Sequence, residues 1–448
     1  MPRGWKKRRR AGSGRPCRWI AMRRPGLAEM TGSSPRRRVE TGGFPMHGED
    51  WMKTNKYLIE ALLFASYVLF GMSWAGGSAF IPQIMRELGL HDLAAGSHIS
   101  NAVAAAKLLG TFVAAGILSR LMAKKAVALA MALMAVGALT PFVHSYPWLL
   151  LVRFLMGLGG ALIIVYFAPI VMQWFEPGER PFVNGLNSVA FNVGTAAILF
   201  GLPAMLGWFR DWQTTLLAIS LGSVACLGLW LVFGADGAQE KKPAADGTRH
   251  TLGQGLKERF NWLLAFTYSG TLSFYVILFS FYQNAGIQQA KFVVLAGLAG
   301  TVAGIWLARK MTRRLPLLRV SGLLQLLAVM GLHAQVWGWS DDAGLVTASA
   351  LAAGFFIFLP ITSLVTLAQE QAGMTPEKVA VTFSLFWFLS YLLATVSPYL
   401  FGLLVDLRHG DYGLAMAFAT LLSSTFLLGS LLMRETREPA ARQAAQSA

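Results

Sequence analysis

The stretch His98–Ser119, HISNAVAAAKLLGTFVAAGILS, is a run of apolar and small residues interrupted near its middle by one lysine, Lys107. An α-helix needs about 20 apolar residues to cross roughly 30 Å of hydrocarbon, so this stretch has the length of a membrane crossing. Stretches of the same kind recur along the chain. Twelve can be counted, starting near Tyr57, Ser97, Ala126, Pro147, Phe182, Gln213, Asn261, Ala290, Leu317, Gly344, Val379 and Tyr412. The chain is 55% hydrophobic and only 14% charged, with a mean hydropathy of +0.50, whereas soluble domains carry about 25% charged residues. Helices satisfy their own backbone hydrogen bonds in lipid. The expected fold is therefore an all-α membrane protein of twelve transmembrane helices.

Loop charge sets the expected orientation, because Lys and Arg gather on the cytoplasmic side. With the amino terminus inside, the inner loops hold 15 basic residues and the outer loops hold four: Arg86, Arg210, Lys291 and Arg408. This places both termini in the cytoplasm of a bacterial-type inner membrane. Residues 1–51 are expected to be a basic disordered tail or the product of a start placed too early, since Met52 opens a short basic flank before the first crossing. Residues 1–45 hold 13 of the 39 Lys and Arg and are read as a tail on anionic lipid rather than a nucleic-acid site. No cleavable signal is recognisable. The remaining divisions are a six-helix bundle over 52–233, a cytoplasmic linker over 234–259, a second six-helix bundle over 260–434 and a cytoplasmic tail over 435–448. Cys17 and Cys226 offer no disulfide framework, and no Cys/His pair has metal-ligand spacing. No cofactor and no metal are expected.

The two halves echo each other. FAPI at Phe167–Ile170 returns as FLPI at Phe358–Ile361, and the basic loops RLMAKK and ARKMTRR fall at a similar offset. The two bundles are therefore expected to be pseudo-symmetric repeats around a midplane cavity. Three local patterns then resemble the major facilitator superfamily. The loop Gly116-Ile-Leu118-Ser-Arg120-Leu-Met-Ala123-Lys124-Lys125 is similar to the family's Gly-x-Leu-x-Asp-Arg-x-Gly-Arg-Lys, with Arg120 at the Asp position and Ala123 at the second Gly. Arg153-Phe-Leu-Met-Gly157-Leu-Gly159-Gly160 matches Arg-x-x-x-Gly-x-Gly. WFEPGERPFVNG, with Glu179, Arg180 and Gly185, resembles the loop that follows. The resemblance covers residues 52–435 and leans toward the cyanate and nitroimidazole branch. It implies a rocking transporter, with Gly116, Arg120, Lys124, Lys125, Glu179 and Arg180 in the gating loops. The usual Asp of the cytoplasmic latch is absent. The fifth-helix motif of drug–proton antiporters is absent too.

Lys107 lies about 15 Å from either surface at 1.5 Å per residue. Glu60, Glu370 and Asp406 all fall near helix ends, so Lys107 lacks a mid-depth acidic partner and is expected to face the cavity. The alternative is a structural pairing with a carboxylate or with helix carbonyls. Arg153 is the second cation of the amino-terminal half and a candidate substrate ligand beside Lys107; the family match implies a role in coupling or helix packing, and the competing reading is an arginine snorkelling to the outer interface. Lys107 corresponds to about Leu295 in the second half, so the charge is not repeated. Asn187, Asn192, Trp387 and Tyr391 are the polar and aromatic cavity candidates, with core packing as the competing reading for each. The three glycines of the fourth helix are expected to serve close packing. The expected function is a secondary active or facilitative transporter of a small solute, an anion held by Lys107, with a proton as candidate co-ion and facilitated diffusion as the simpler alternative. A monomer in contact with membrane lipid is expected. The competing readings are an exporter of hydrophobic or cationic compounds and a non-transporting receptor or scaffold. An enzyme is excluded by the lack of a nucleophile–base pair within the spans, and an ATP-driven pump by the lack of a nucleotide motif.

Overall fold

A proline-led or capped first turn starts most of the helices. Pro147, Pro181, Pro316 and Pro376 occupy first-turn positions, where the missing N–H has no partner to lose. Asp211, Asp342 and Thr375 accept hydrogen bonds from the free backbone N–H groups of Thr214, Gly344 and Lys378, as N-caps do. The computed structural model describes residues 48–90, 93–237, 250–282 and 285–435. The basic stretch 1–47 lies outside these, as do most of the linker and the tail from 436. Among the described residues every regular element is helical.

The first half contains α1 (Gly48–Ala79), α2 (Ile81–Glu87), α3 (Leu93–Ala135), α4 (Tyr146–Trp174), α5 (Arg180–Phe209) and α6 (Trp212–Phe233). The second contains α7 (Leu252–Gly255), α8 (Arg259–Phe281), α9 (Lys291–Lys310), α10 (Leu315–Leu332), α11 (Ala343–Phe358), α12 (Ile361–Gln369), α13 (Pro376–Leu407) and α14 (Gly413–Leu432). Both halves fall within one compact unit, Gly48–Ala448.

Nine helices among the described residues are long and apolar enough to cross a membrane, or ten if the bent α5 is one span. Three features relate this count to the twelve stretches of the sequence. First, α3 holds two of them end to end. Its backbone breaks at Met122, at φ 64° and ψ 165°, next to the basic loop, and its second arm continues through a 3-10 turn to Phe142. Second, α5 bends by 55° near Ile198–Phe200, a few residues before Pro203. Third, α8 is long enough, but Asn261, Thr267, Ser269, Thr271 and Ser273 dilute its apolarity; all five face the protein interior. The echoing prolines behave differently. Pro169 stays inside a continuous α4, whereas Pro360 separates α11 from α12.

Part of the expected linker is structured. Thr251 and Gln254 form a reciprocal capping box on α7, and Asn261 donates a hydrogen bond to the Gly255 carbonyl, which docks this turn on the start of α8.

One hydrophobic core runs across both halves, joining Ile59, Leu63 and Ala168 to Leu264, Leu367 and Phe386. Two other cores each stay within one half, around Phe274 and Phe401 and around Phe80 and Leu216. The shared core reaches the end of the bundle where α4 passes to α5 and α12 to α13, here called the basic end after its loops.

Candidate functional site

A cavity of about 250 Å³ lies between the halves. Its walls come from α1, α3, α4 and α5 on one side and from α8, α11, α12 and α13 on the other. Ten of its lining residues are aromatic, among them Tyr67, Trp74, Phe191, Tyr268, Trp387 and Tyr391, and its single lining charge is Lys107. The site is therefore a ring-lined chamber with one ammonium in its wall.

Helix packing assembles the box around that ammonium. α1 and α5 run side by side with partners about 123 positions apart, as in Lys56–Glu179 and Tyr67–Phe191. Gly71 allows their close approach: a Cβ there would sit 2.7 Å from the Phe191 carbonyl oxygen. The Lys107 Nζ then lies 4.6 Å from the Trp74 ring centre, 4.9 Å from Phe191, 5.6 Å from Phe70 and 4.5 Å from Tyr391. Tyr391 stacks on Trp387, with ring centres 5.6 Å apart, so the aromatic pair of α13 reaches across the halves to the lysine. The residue is 3% exposed. Among the described residues no carboxylate lies within ion-pairing distance of it. Cation–π contact with desolvated rings contributes about 2 kcal/mol, less than the several kcal/mol lost in burying an ammonium.

The polar wall comes from α5. Asn184, Asn187, Ser188 and Asn192 all line the cavity, although Asn187 and Asn192 are five residues apart and do not share one strict face. Asn184 donates to Thr366 Oγ1 at 3.1 Å and to Gln369 Oε1 at 2.7 Å, and Gln369 donates to the Ala168 carbonyl at 2.8 Å. This neutral clasp ties α4 and α5 to α12 at the basic end. Asn187 is different. Both its polar atoms are buried without a hydrogen-bond partner, as are both carboxylate oxygens of Glu60 behind it. The two side chains lie side by side at the margin of hydrogen-bond geometry.

Arg153 packs helices rather than serving as the substrate ligand expected of it. It does not line the cavity. It is buried at 2% exposure, and its Nη1 and Nη2 donate to the Ser73 and Trp74 carbonyls at 3.0 and 3.3 Å. Gly77 makes room for it, since a Cβ there would lie 2.2 Å from Nη1. Arg153 thus anchors the backbone that carries Trp74. Glu60, expected near the inner end of the first helix, lies twelve residues into α1 and is buried at 4% exposure.

The loop residues act mostly within their own halves. Glu179 takes the Lys56 ammonium at 2.8 Å, the Tyr57 hydroxyl and the Glu176 N–H. Partial burial pushes the Glu179 carboxyl up, but these donors and the Lys56 charge hold it below its ordinary value. Arg180 donates to the Phe175 and Met172 carbonyls at the end of α4. Lys124 uses its backbone, donating to Asp236 and accepting from the Trp230 indole. Arg120 and Lys125 are exposed, and a Cβ on Gly116 would meet open space. In the second half Arg314 forms a two-point ion pair with Glu370 at 2.8 and 3.2 Å. Gly157, Gly159 and Gly160 pack as expected; a Cβ on Gly160 would lie 2.4 Å from the Phe70 ring.

The sequence profile of the Major Facilitator Superfamily matches residues 63–398. The chain belongs to this superfamily. An uncharacterised protein of Campylobacter jejuni is 31% identical over 234 residues, covering 52% of this chain and 72% of that one. The fold is similar to that of the fucose:proton symporter FucP of E. coli, with a TM-score of 0.67, 13% identity, and coverage of 85% of this chain and 100% of that one. It is also similar to the human organic anion transporter MFSD10, with a TM-score of 0.61, 16% identity, and coverage of 85% and 99%.

Sequence reasoning missed most of the box. Phe70 and Trp74 are four apart, the spacing of one helix face, as are Asn187 and Phe191. That spacing was the available signal. It also describes ordinary core, so it gains meaning only once Lys107 is known to lie opposite.

Proposed function

We propose that this superfamily member moves a small organic anion across the bacterial inner membrane by alternating access, with its basic end in the cytoplasm. The observation that carries the reading is the unpaired Lys107 ammonium in the wall of the cavity. A buried cation with no acidic partner is costly, and a carboxylate entering the chamber supplies the missing charge. The rings define the rest of the solute. A cavity of about 150 Å³ accepts benzene, so about 250 Å³ suits one ring or a compact apolar body bearing one acidic group. A cationic solute fits poorly, since the lining offers no carboxylate. The names of two structural neighbours are consistent with this: one is an organic anion transporter and the other a proton symporter. A proton accompanying the anion would offset its charge, and we infer symport of this kind.

Purified protein in liposomes, loaded with benzoate and other aromatic monocarboxylates, tests the reading. Saturable benzoate exchange that Lys107→Met abolishes is the expected result. Equal exchange in Lys107→Met, or uptake of cationic and neutral aromatics alone, would overturn it.

A further inference from the structure

One wall of the chamber carries a polar group that its own fold leaves unused. Asn187 lines the cavity at 7% exposure, and neither its Nδ2 nor its Oδ1 reaches a hydrogen-bond partner. An amide offers two N–H donors and an oxygen with two lone pairs. Glu60, at the margin of hydrogen-bond geometry beside it, takes up one of these at most. The other polar residues of the α5 wall are better provided for. Asn184 is held in the clasp with Thr366 and Gln369, Ser188 donates to the Gly185 carbonyl at 2.7 Å, and Asn192 is only half-buried. A buried amide without partners is costly, and a solute in the chamber can supply them.

The depth of Asn187 sets which part of the solute it meets. It lies one turn along α5 from Phe191, about 6 Å at 1.5 Å per residue, in the direction of the basic end. Phe191 is one of the rings around the Lys107 ammonium, 4.9 Å from it. The interval is comparable with the distance between para substituents on a benzene ring. An aromatic acid with its carboxylate at Lys107 and its ring among Trp74, Phe191 and Tyr391 therefore brings its opposite ring carbon to the level of Asn187.

We propose that Asn187 selects the solute: an aromatic monocarboxylate that carries a neutral hydroxyl across the ring from its acid group. This assignment rests on the anion reading above and adds a second point of recognition. A hydroxyl both donates and accepts, so it pairs with the amide whichever way the amide is turned. A methyl group of the same size pairs with neither face and leaves the amide buried and unused. A site built to hydrogen-bond a hydroxyl rejects the analogue lacking it for this reason. A second carboxylate fails on charge. The lining holds one ammonium, and Glu60 stands beside Asn187, so a dianion would place its second charge against an acidic neighbour with no counterion.

Isothermal titration of the purified protein with benzoate, 4-methylbenzoate, 4-hydroxybenzoate and terephthalate reads the selection directly. The expected result is that 4-hydroxybenzoate binds about 3- to 10-fold more tightly than 4-methylbenzoate, with terephthalate weaker than either. Asn187→Leu keeps the size of the side chain and removes both polar atoms. In that variant the preference for the hydroxyl should vanish or reverse while benzoate binding is retained. If Asn187→Leu does not fold, Asn187→Ser decides: its shorter side chain draws the polar group back from the solute, and the ratio must fall. The possible failures are distinguishable. Benzoate bound by a parent protein that shows no preference for the hydroxyl, a preference that survives in Asn187→Leu, or terephthalate bound more tightly than 4-hydroxybenzoate would each overturn the role of Asn187 and leave the anion reading standing. Binding of none of the four acids would overturn the anion reading, and the role of Asn187 with it.

Discussion

Replacing Lys107 by methionine separates a ligand-binding lysine from a structural one, because the two roles predict opposite effects on stability. Methionine keeps the length of the side chain and removes the charge. The loss is the attraction of the Trp74, Phe191, Phe70 and Tyr391 rings for the ammonium, up to about 2 kcal/mol. The gains are relief from burying an unpaired cation, several kcal/mol, and sulfur–ring contacts of about 0.3–1.5 kcal/mol each. The melting temperature of Lys107→Met should therefore equal or exceed that of the parent. Anion binding should fall. A hydrogen bond to a charged group contributes about 1.5–3 kcal/mol, which corresponds to roughly 10- to 150-fold in Kd. Calorimetric titration with benzoate, alongside thermal melting with and without it, measures both. A ligand present at 100 times its Kd should raise stability by about 2.7 kcal/mol in the parent, and this rise should nearly vanish in the variant. A Lys107→Met protein that melts earlier yet binds benzoate as tightly as the parent would refute the reasoning.

Asn184→Ala removes two cross-half hydrogen bonds, together about 1–3 kcal/mol. A cysteine at Ser188 should then react faster with an impermeant maleimide added from the basic end; an unchanged rate would show that the clasp does not hold the gate. Gly77→Ala places a Cβ against the Arg153 guanidinium and should destabilise by about 1–3 kcal/mol, read as a lower melting temperature that Ala at position 76 does not reproduce. Glu179 has a carboxyl held below its ordinary value of 4.5, so its contribution to stability is complete above that value and is lost as pH falls through the depressed one. Glu179→Gln should accordingly lower the melting temperature at neutral pH and converge with the parent in acid; a gap that persists at the lowest pH would contradict the ion pair with Lys56.

Hydrophobic length made the helical membrane fold legible, because it is a property of consecutive residues. Contacts between helices were not. Lys107 announced itself as a charge in an apolar run, and Asn187, Asn192, Trp387 and Tyr391 line the chamber with it. Arg153 carried a similar signal and misled. Its position about two turns into α4 did not reveal that two carbonyls of α1 lay within reach. Glu60 was set aside as lying too near a helix end to partner Lys107. In a bundle with a shared core at the basic end, Glu60, twelve residues into α1, is enclosed by its neighbours. The neutral clasp of Asn184 and Gln369 had no local signature at all, since its members are 185 positions apart.

The halves repeat in fold but not in charge, and this asymmetry bears on how solute and motion are connected. The position corresponding to Lys107 is about Leu295 in α9, which faces outward at 64% exposure and is not part of the chamber. The second half instead contributes rings, with Tyr391 over the ammonium and Trp387 behind it. Part of what holds the cation thus crosses the seam between the halves, which must part in the proposed alternating access. A carboxylate arriving at Lys107 competes with Tyr391 for the same ammonium, and a charge-assisted hydrogen bond is stronger than a single cation–π contact. In the proposed reading, binding the anion would therefore loosen one cross-half contact in the chamber, while the Asn184 clasp still joins α5 to α12 at the basic end. A Tyr391→Leu protein lacks that competition. It should bind benzoate at least as tightly as the parent while its two halves separate more readily, and weaker binding in that variant would show instead that the tyrosine is part of the solute's own binding surface.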